Sequence, residues 1–292
     1  MCLLVQIISV SSLKGGVGKT SVTLGLASAA LAAGVRTLVV DLDPHADAST
    51  GLGVSPNATE PIGELLKSPR KASIDSDPAP SAWTAREQAN GNPNAVLDVL
   101  PGSAMTGYYD RPDIRTRDLK RLQRVLEGAE KHYDLVLIDC PPSLSGLTRM
   151  AWYTSDGVLL VAEPALFSVA GTERALRALK LFRDEFHTTI DTYGVIANRY
   201  RRDSSEHAFR LNELSVMFGE GLVQPPIPET PNWQQIQGAA YAVHHWPGSA
   251  ARDTAGAFEE ALRTIAPDLP QLKEEKKKRN ASRRGSGRRS RR

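Results

Sequence analysis

Cysteine is almost missing: Cys2 and Cys140 are the two among 292 residues. With no CxxC pair and no Cys/His cluster, the chain has no disulfide framework, structural zinc site or paired iron–sulfur ligands, and it fits a reducing cytoplasm. Long apolar runs are missing too. The richest stretch, about residues 22–40, is broken by Gly25, Gly34 and Arg36 and reads as helix, turn and strand instead of a membrane span. The opening "MCLLVQIISV" lacks the basic leader and small-residue cleavage site of an export signal and reads as a strand. Most of the chain also lacks positive charge. The total is +3, but the last twenty residues hold eleven Lys or Arg against two Glu, a balance of +9, so residues 1–272 carry −6. Any nucleic-acid affinity of the body therefore needs a local patch.

What is present is a series of short apolar runs: Leu4–Val10, Thr37–Val40, Val96–Leu100, Leu135–Ile138, Val158–Ala162 and Tyr193–Ala197. They are continuous instead of alternating, which predicts strands buried on both faces, as in a parallel sheet. Helical patterns lie between most of them. Residues 19–33 stop at Gly34; Leu119, Leu122, Val125 and Leu126 stop at Gly128; Ala175, Leu176, Leu179 and Phe182 form a third stripe. Alternating β and α predicts an α/β fold with a doubly wound, mostly parallel sheet, helices on both faces, and active groups at the carboxyl ends of the strands. Residues 67–95, rich in Pro, Ser, Ala and Asn, read as a surface excursion. One domain is expected over residues 1–268, followed by a basic, low-complexity and disordered tail over 269–292.

The chemistry starts at "KGGVGKT", residues 14–20, between a predicted strand and a predicted helix. Gly15, Gly16 and Gly18 let successive N–H groups turn around phosphate oxygens, with Val17 inside the loop and the helix N-terminus adding partial positive charge. Lys19 is placed for the β and γ phosphates, and the Thr20 hydroxyl for Mg²⁺. Leu13 stands where the ordinary phosphate-loop pattern has its first glycine, and Lys14 is an added cation at the loop's start. In "VVDLDPHADAS", Asp41 and Asp43 leave a strand end on one face. In "LVLIDCPPSLSGLT", four apolar residues deliver Asp139 to another strand end, the position of a carboxylate that holds Mg²⁺. A ligand-free glycine turn and two turn-forming aspartates account for each segment alone, but not for all three in this order.

These motifs, with the "EP" of "LLVAEPALFSVAG" and the strand ending "IANR", resemble the ParA/MinD group of deviant Walker-A ATPases, and within it the ParA-type partition ATPases, over roughly residues 5–266. The resemblance implies ATP and Mg²⁺ as cofactors and a homodimer formed when ATP is bound. It also implies that Lys14 reaches the partner's nucleotide like an arginine finger. By the same carry-over Asp43 orients the attacking water, Asp41 supports the Mg²⁺ shell, Ser21 flanks the phosphates, and Asn198 with Pro228 and Glu229 holds the adenine. Where many relatives read "DPQGNAT", this chain has Pro44, His45, Ala46, Asp47, Ala48 and Ser49. His45 reads as a solvent-facing loop residue.

The family further implies non-specific DNA binding by the dimer, a ParB-like centromere-binding partner that stimulates slow hydrolysis, and a cytoplasmic, nucleoid-associated location without membrane insertion. Candidate DNA contacts are Arg199, Arg201, Arg202 and Arg210, with the tail arginines; a solvated loop and a solubilising extension explain the same charges. The basic residues Arg174, Arg177, Lys180 and Arg183 read as an ordinary surface helix, and Trp233 and Trp246 as core. A MinD-like or other cargo-positioning ATPase is the alternative, although the C-terminus lacks the apolar residues of a membrane-binding helix. A metabolic ATPase on the same fold would need a second substrate pocket that the sequence does not reveal.

Overall fold

The computed structural model describes residues 5–55 and 58–273; Cys2, the start of the first predicted strand and most of the basic tail lie outside them. In chain order the elements are β1 (Gln6–Ser11), α1 (Lys19–Ala32), β2 (Thr37–Asp41), α2 (Asp47–Gly51), α3 (Ile62–Lys67), β3 (Ala79–Pro80), α4 (Ala82–Ala89), β4 (Leu97–Leu100), α5 (Thr116–Val125), β5 (Leu135–Asp139), α6 (Gly146–Thr154), β6 (Gly157–Ala162), α7 (Leu166–Phe186), β7 (Asp191–Ala197), α8 (Ser205–Phe218), β8 (Leu222–Val223), α9 (Trp233–Gly238) and α10 (Ser249–Ile265).

The eight strands form one sheet in the order β3-β4-β2-β5-β1-β6-β7-β8, parallel except for the β3–β4 pair. All residues of β2, β5 and β6 are buried, which is why their sequences run apolar without alternation. Side chains still alternate between the faces. Val39, Leu135 and Leu137 pack with α1 and α10, whereas Leu38, Val40, Val136 and Ile138 pack with α3, α5 and α6. Beyond β1, α7 and α8 cover Val158, Leu160 and Val195. Covered on both sides, the central strands expose their carboxyl ends as the open edge for chemistry.

Two details differ from the composition-based reading. Residues 67–95 are not a bare excursion: β3 extends the sheet and α4 buries Trp83, Thr84 and Glu87, with Ser81 capping the helix by accepting from the Thr84 N–H. The packed body continues beyond residue 268, since Leu269 and Leu272 are buried and Gln271 donates to Asp134. Trp233 packs on Phe258 and Trp246 on Tyr241 at the core's margin. Among the described residues, no helix is long and apolar enough to cross a membrane.

Candidate functional site

The strand-to-helix loop between β1 and α1 wraps tightly because two of its glycines take left-handed backbone angles, φ 79° at Gly16 and φ 86° at Gly18. Gly18 is constrained twice: a Cβ there would collide with Nδ2 of Asn198. Gly15 and Gly16 form an exposed lip, while Lys19 is 6% exposed beneath it. The Lys19 ammonium donates to Ser12 Oγ at 3.4 Å, and Ser12 Oγ in turn donates to the Lys14 carbonyl at 2.7 Å. Burial pulls the Lys19 pKa below its ordinary value, opposed chiefly by the Asp139 charge. A buried ammonium with one long hydrogen bond has unused donors facing the loop, which suits an anionic phosphate.

Asp139 closes the floor of this site. Its two oxygens accept from Thr20 Oγ1 at 2.7 Å and Thr23 Oγ1 at 2.8 Å, one turn apart on α1. On the adjacent strand Asp41 is the register partner of Asp139, so two carboxylates stand side by side at the ends of β2 and β5. Asp41 accepts from the backbone and hydroxyl of Ser49, at 2.8 and 2.7 Å, and from the Asp43 N–H at 3.2 Å. Burial raises the pKa of both carboxyls; next in weight, the Asp139 charge adds to the rise at Asp41, while the Thr20 and Thr23 hydrogen bonds oppose it at Asp139. Two buried acids held this close are suited to a divalent cation, which would relieve both terms. Asp43, 9% exposed, accepts from the His45 N–H at 3.0 Å, and His45 itself points to solvent.

Lys14 is separate from this buried set. Its Nζ lies 3.9 Å from Glu163 Oε2, with the two side chains 41% and 27% exposed. Just beyond Glu163, at the start of α7, Leu166 and Phe167 are 53% and 74% exposed. A half-free lysine and an uncovered apolar pair thus share the face at the mouth of the loop.

The opposite side of the loop opens into a large cavity of about 810 Å³, lined by Ser21, Asn198, Arg201, Pro228, Glu229 and Trp233 among others. Asn198, 4% exposed at the end of β7, donates Nδ2 to the Val17 carbonyl at 2.9 Å and so braces the loop from beneath. Tyr200 bridges Pro228, and Glu229 donates its N–H to the Tyr200 carbonyl at 3.0 Å, which ties the two cavity walls together.

Comparison with known proteins agrees with this geometry. An AAA-domain family matches residues 5–192. The chain is 30% identical over 227 residues to the chromosome partitioning protein ParA of Caulobacter vibrioides, spanning 76% of this chain and 80% of that one. It is also 30% identical over 225 residues to the sporulation initiation inhibitor protein Soj of Bacillus subtilis, spanning 76% and 84%. This chain belongs to the ParA-type P-loop ATPases. Among solved structures, a complex of a Cyanothece McdA variant with ATP superposes with a TM-score of 0.74 at 18% identity, covering 89% of this chain and 96% of that one, a likeness of fold.

Within this ParA-type ATPase, two of the arginines expected on a DNA surface are engaged elsewhere. Arg199, at φ 57°, donates Nη1 to the Gly16 carbonyl at 2.9 Å and is part of the phosphate loop's support. Arg210 is clamped between Glu206 and Glu213, both at 2.7 Å. Arg201 lies 3.7 Å from Glu229 and 3.4 Å from His207, whereas Arg202 is exposed on the cavity rim. Other residues of the site escaped the sequence reading: Ser12, Thr23, Ser49 and Gly102. Ser49 and Thr23 lie inside or one turn from quoted motifs, so spacing carried a signal; Gly102 carried none. Its N–H donates to Ser49 Oγ at 3.0 Å, and a Cβ there would come within 3.0 Å of Asp41 and Asp43.

Proposed function

We propose that this ParA-type ATPase is a DNA-segregation protein that binds ATP and Mg²⁺, pairs face to face when ATP-loaded, holds DNA without sequence preference, and is released by hydrolysis that a ParB-like partner stimulates. Lys19 and the loop amides from Gly15 to Ser21 hold the phosphates. Thr20 and Asp139, with Asp41 behind them, would hold Mg²⁺, and the bound ion would supply positive charge to the β and γ phosphates. Asp43 has one oxygen committed to the His45 N–H, which leaves the other to orient the attacking water. Asn198, Pro228 and Glu229 line the cavity of suitable size for the base and ribose.

The observation that carries the reading is the position of Lys14. It stands outside its own loop, 3.9 Å from Glu163, on the face that also exposes Phe167. A second copy docked on that face would cover the apolar pair and receive the Lys14 charge at its own nucleotide, where negative charge accumulates during transfer.

Duplex DNA binding by the purified chain with a non-hydrolysable ATP analogue, with ADP and without nucleotide tests the function. Binding confined to the ATP-analogue state supports it. A chain that bound ATP and paired yet ignored DNA would instead be a cargo-positioning ATPase of the MinD kind.

A further inference from the structure

We infer that the DNA contact made by the folded body is the cationic side of α5 together with the loop that leads into it, residues 111–115. This deepens the DNA reading above and rests on it. Residues 1–272 are net negative, so binding requires a concentrated patch. Arg199 and Arg210 are engaged within the molecule. On α7, Arg177 pairs with Glu173 at 3.5 Å and Arg183 with Asp191 at 3.2 Å, which leaves Arg174 and Lys180 as its exposed cations without an ion pair among the described residues.

The cations without an ion pair are more numerous on α5 and the loop before it. Arg117, Lys120 and Arg124 follow one side of the helix at three- and four-residue spacing, opposite Leu119, Leu122 and Val125, which are buried. Arg111 and Arg115, in the preceding loop, and Lys120 and Arg124 have no ion-pair partner among the described residues. Arg117 is 3.8 Å from Asp118 with 71% of its side chain exposed, and Asp118 is already taken at 2.8 Å by Arg121. Arg121 is structural, since it also donates to the Leu66 carbonyl at 2.9 Å. Of the other carboxylates lining the cavities at the ends of α5, Asp113 lies in the loop, Glu127 beyond the helix and Asp75 against His132 at 2.6 Å, fewer than the free cations.

Shape points the same way. A cavity of about 620 Å³ opens at the start of α5, bounded by Arg111, Arg115, Arg117 and the exposed Tyr108, and a second of about 350 Å³ reaches Arg124 from the far end. Arg117 to Arg124 spans about 10 Å of helix axis, over which duplex DNA carries roughly six charges. An extended phosphate backbone matches this run better than a compact anion does. The loop is also tied to the catalytic end: Asp110, next to Arg111, accepts from Ser143 Oγ at 3.1 Å and from the Leu147 N–H at 3.3 Å, just past Asp139.

The test uses the full-length chain with a non-hydrolysable ATP analogue and a labelled duplex, read by fluorescence anisotropy across a KCl series. The combined Arg115→Ala, Lys120→Ala and Arg124→Ala variant should bind at least about tenfold more weakly near 150 mM salt, and its log–log salt slope should flatten by about 2.7. Nucleotide affinity should stay unchanged, and Arg115→Lys with Arg124→Lys should bind like the parent, which separates lost charge from lost folding. A triple variant with the parental affinity and slope, while binding stays ATP-dependent, overturns this surface and leaves the DNA reading standing. So does loss of all binding on changing the tail arginines Arg283, Arg284, Arg288, Arg289, Arg291 and Arg292 to Gln. A parent chain that binds no duplex in any nucleotide state overturns both.

Discussion

Lys14 Nζ and Glu163 Oε2 face each other across 3.9 Å at the mouth of the phosphate loop, both partly in solvent. A contact this long and exposed is weak, so the lysine is held near its resting position without being committed to it. Lys14→Ala should therefore leave ATP affinity within about twofold while lowering turnover by about 100-fold or more, the scale set by removal of one charge-stabilising donor. Equilibrium binding of a fluorescent nucleotide and steady-state phosphate release measure the two separately. A matched loss of binding and turnover would place Lys14 in its own cradle.

Gly18 carries the tightest steric constraint in the loop. A methyl group there collides with the Asn198 amide and forces a left-handed backbone on an L-residue. Gly18→Ala should lose nucleotide binding and, from the backbone term alone, about 1–2 kcal/mol of stability. Urea unfolding monitored by circular dichroism gives the second number, and calorimetric titration gives the first.

Ala46 points the other way. It takes φ 56° at the start of α2, in the loop that follows Asp43, where the resemblance to partition ATPases expects glycine. Ala46→Gly relieves left-handed strain at an N-cap position where no side-chain hydrogen bond is lost, and should stabilise the protein by about 1 kcal/mol. A melting temperature that falls in this variant would contradict the strain argument.

His244 predicts a pH effect. It is buried against Ser28, with its Nδ1 2.7 Å from Ser28 Oγ, and burial, followed by the His245 charge, lowers its pKa from 6.5 to about 4. The unfolded chain takes up a proton below pH 6.5 that the folded chain refuses until about pH 4, so stability is full above pH 6.5 and is lost as pH falls between those values. From pH 6.5 to pH 5 the loss from this group should be about 2 kcal/mol. His244→Gln should flatten that part of the stability profile, measured by urea midpoints at matched pH.

The parts legible in the sequence were those set by local rules. β2 and β5 are near-continuous apolar runs because both faces are covered, β1 is a run interrupted by Ser9, and each ends at the residues that carry chemistry: the loop before Lys19, Asp41 with Asp43, and Asp139. What stayed hidden depended on distant partners. β3 and β8 have two residues each, too few to show a period, and α4 is fixed by burying Trp83 more than by its own pattern. Arg199 looked like a surface cation because nothing nearby in sequence reveals its acceptor, the Gly16 carbonyl 183 residues away. Gly102 faces the aspartates only once β4 lies beside β2.

The most direct test of the shared-site account mixes two inactive chains. Lys14→Ala and Asp43→Ala protomers, combined in equal amounts with ATP, form mixed dimers in which one site has its own Asp43 and receives Lys14 from the neighbour. If Lys14 acts across the interface, the mixture should recover roughly a quarter of the wild-type rate, since half of randomly paired dimers are mixed and each holds one complete site. If the mixture stays as inactive as either variant while sedimentation shows that mixed dimers form, Lys14 serves its own nucleotide and the account is wrong.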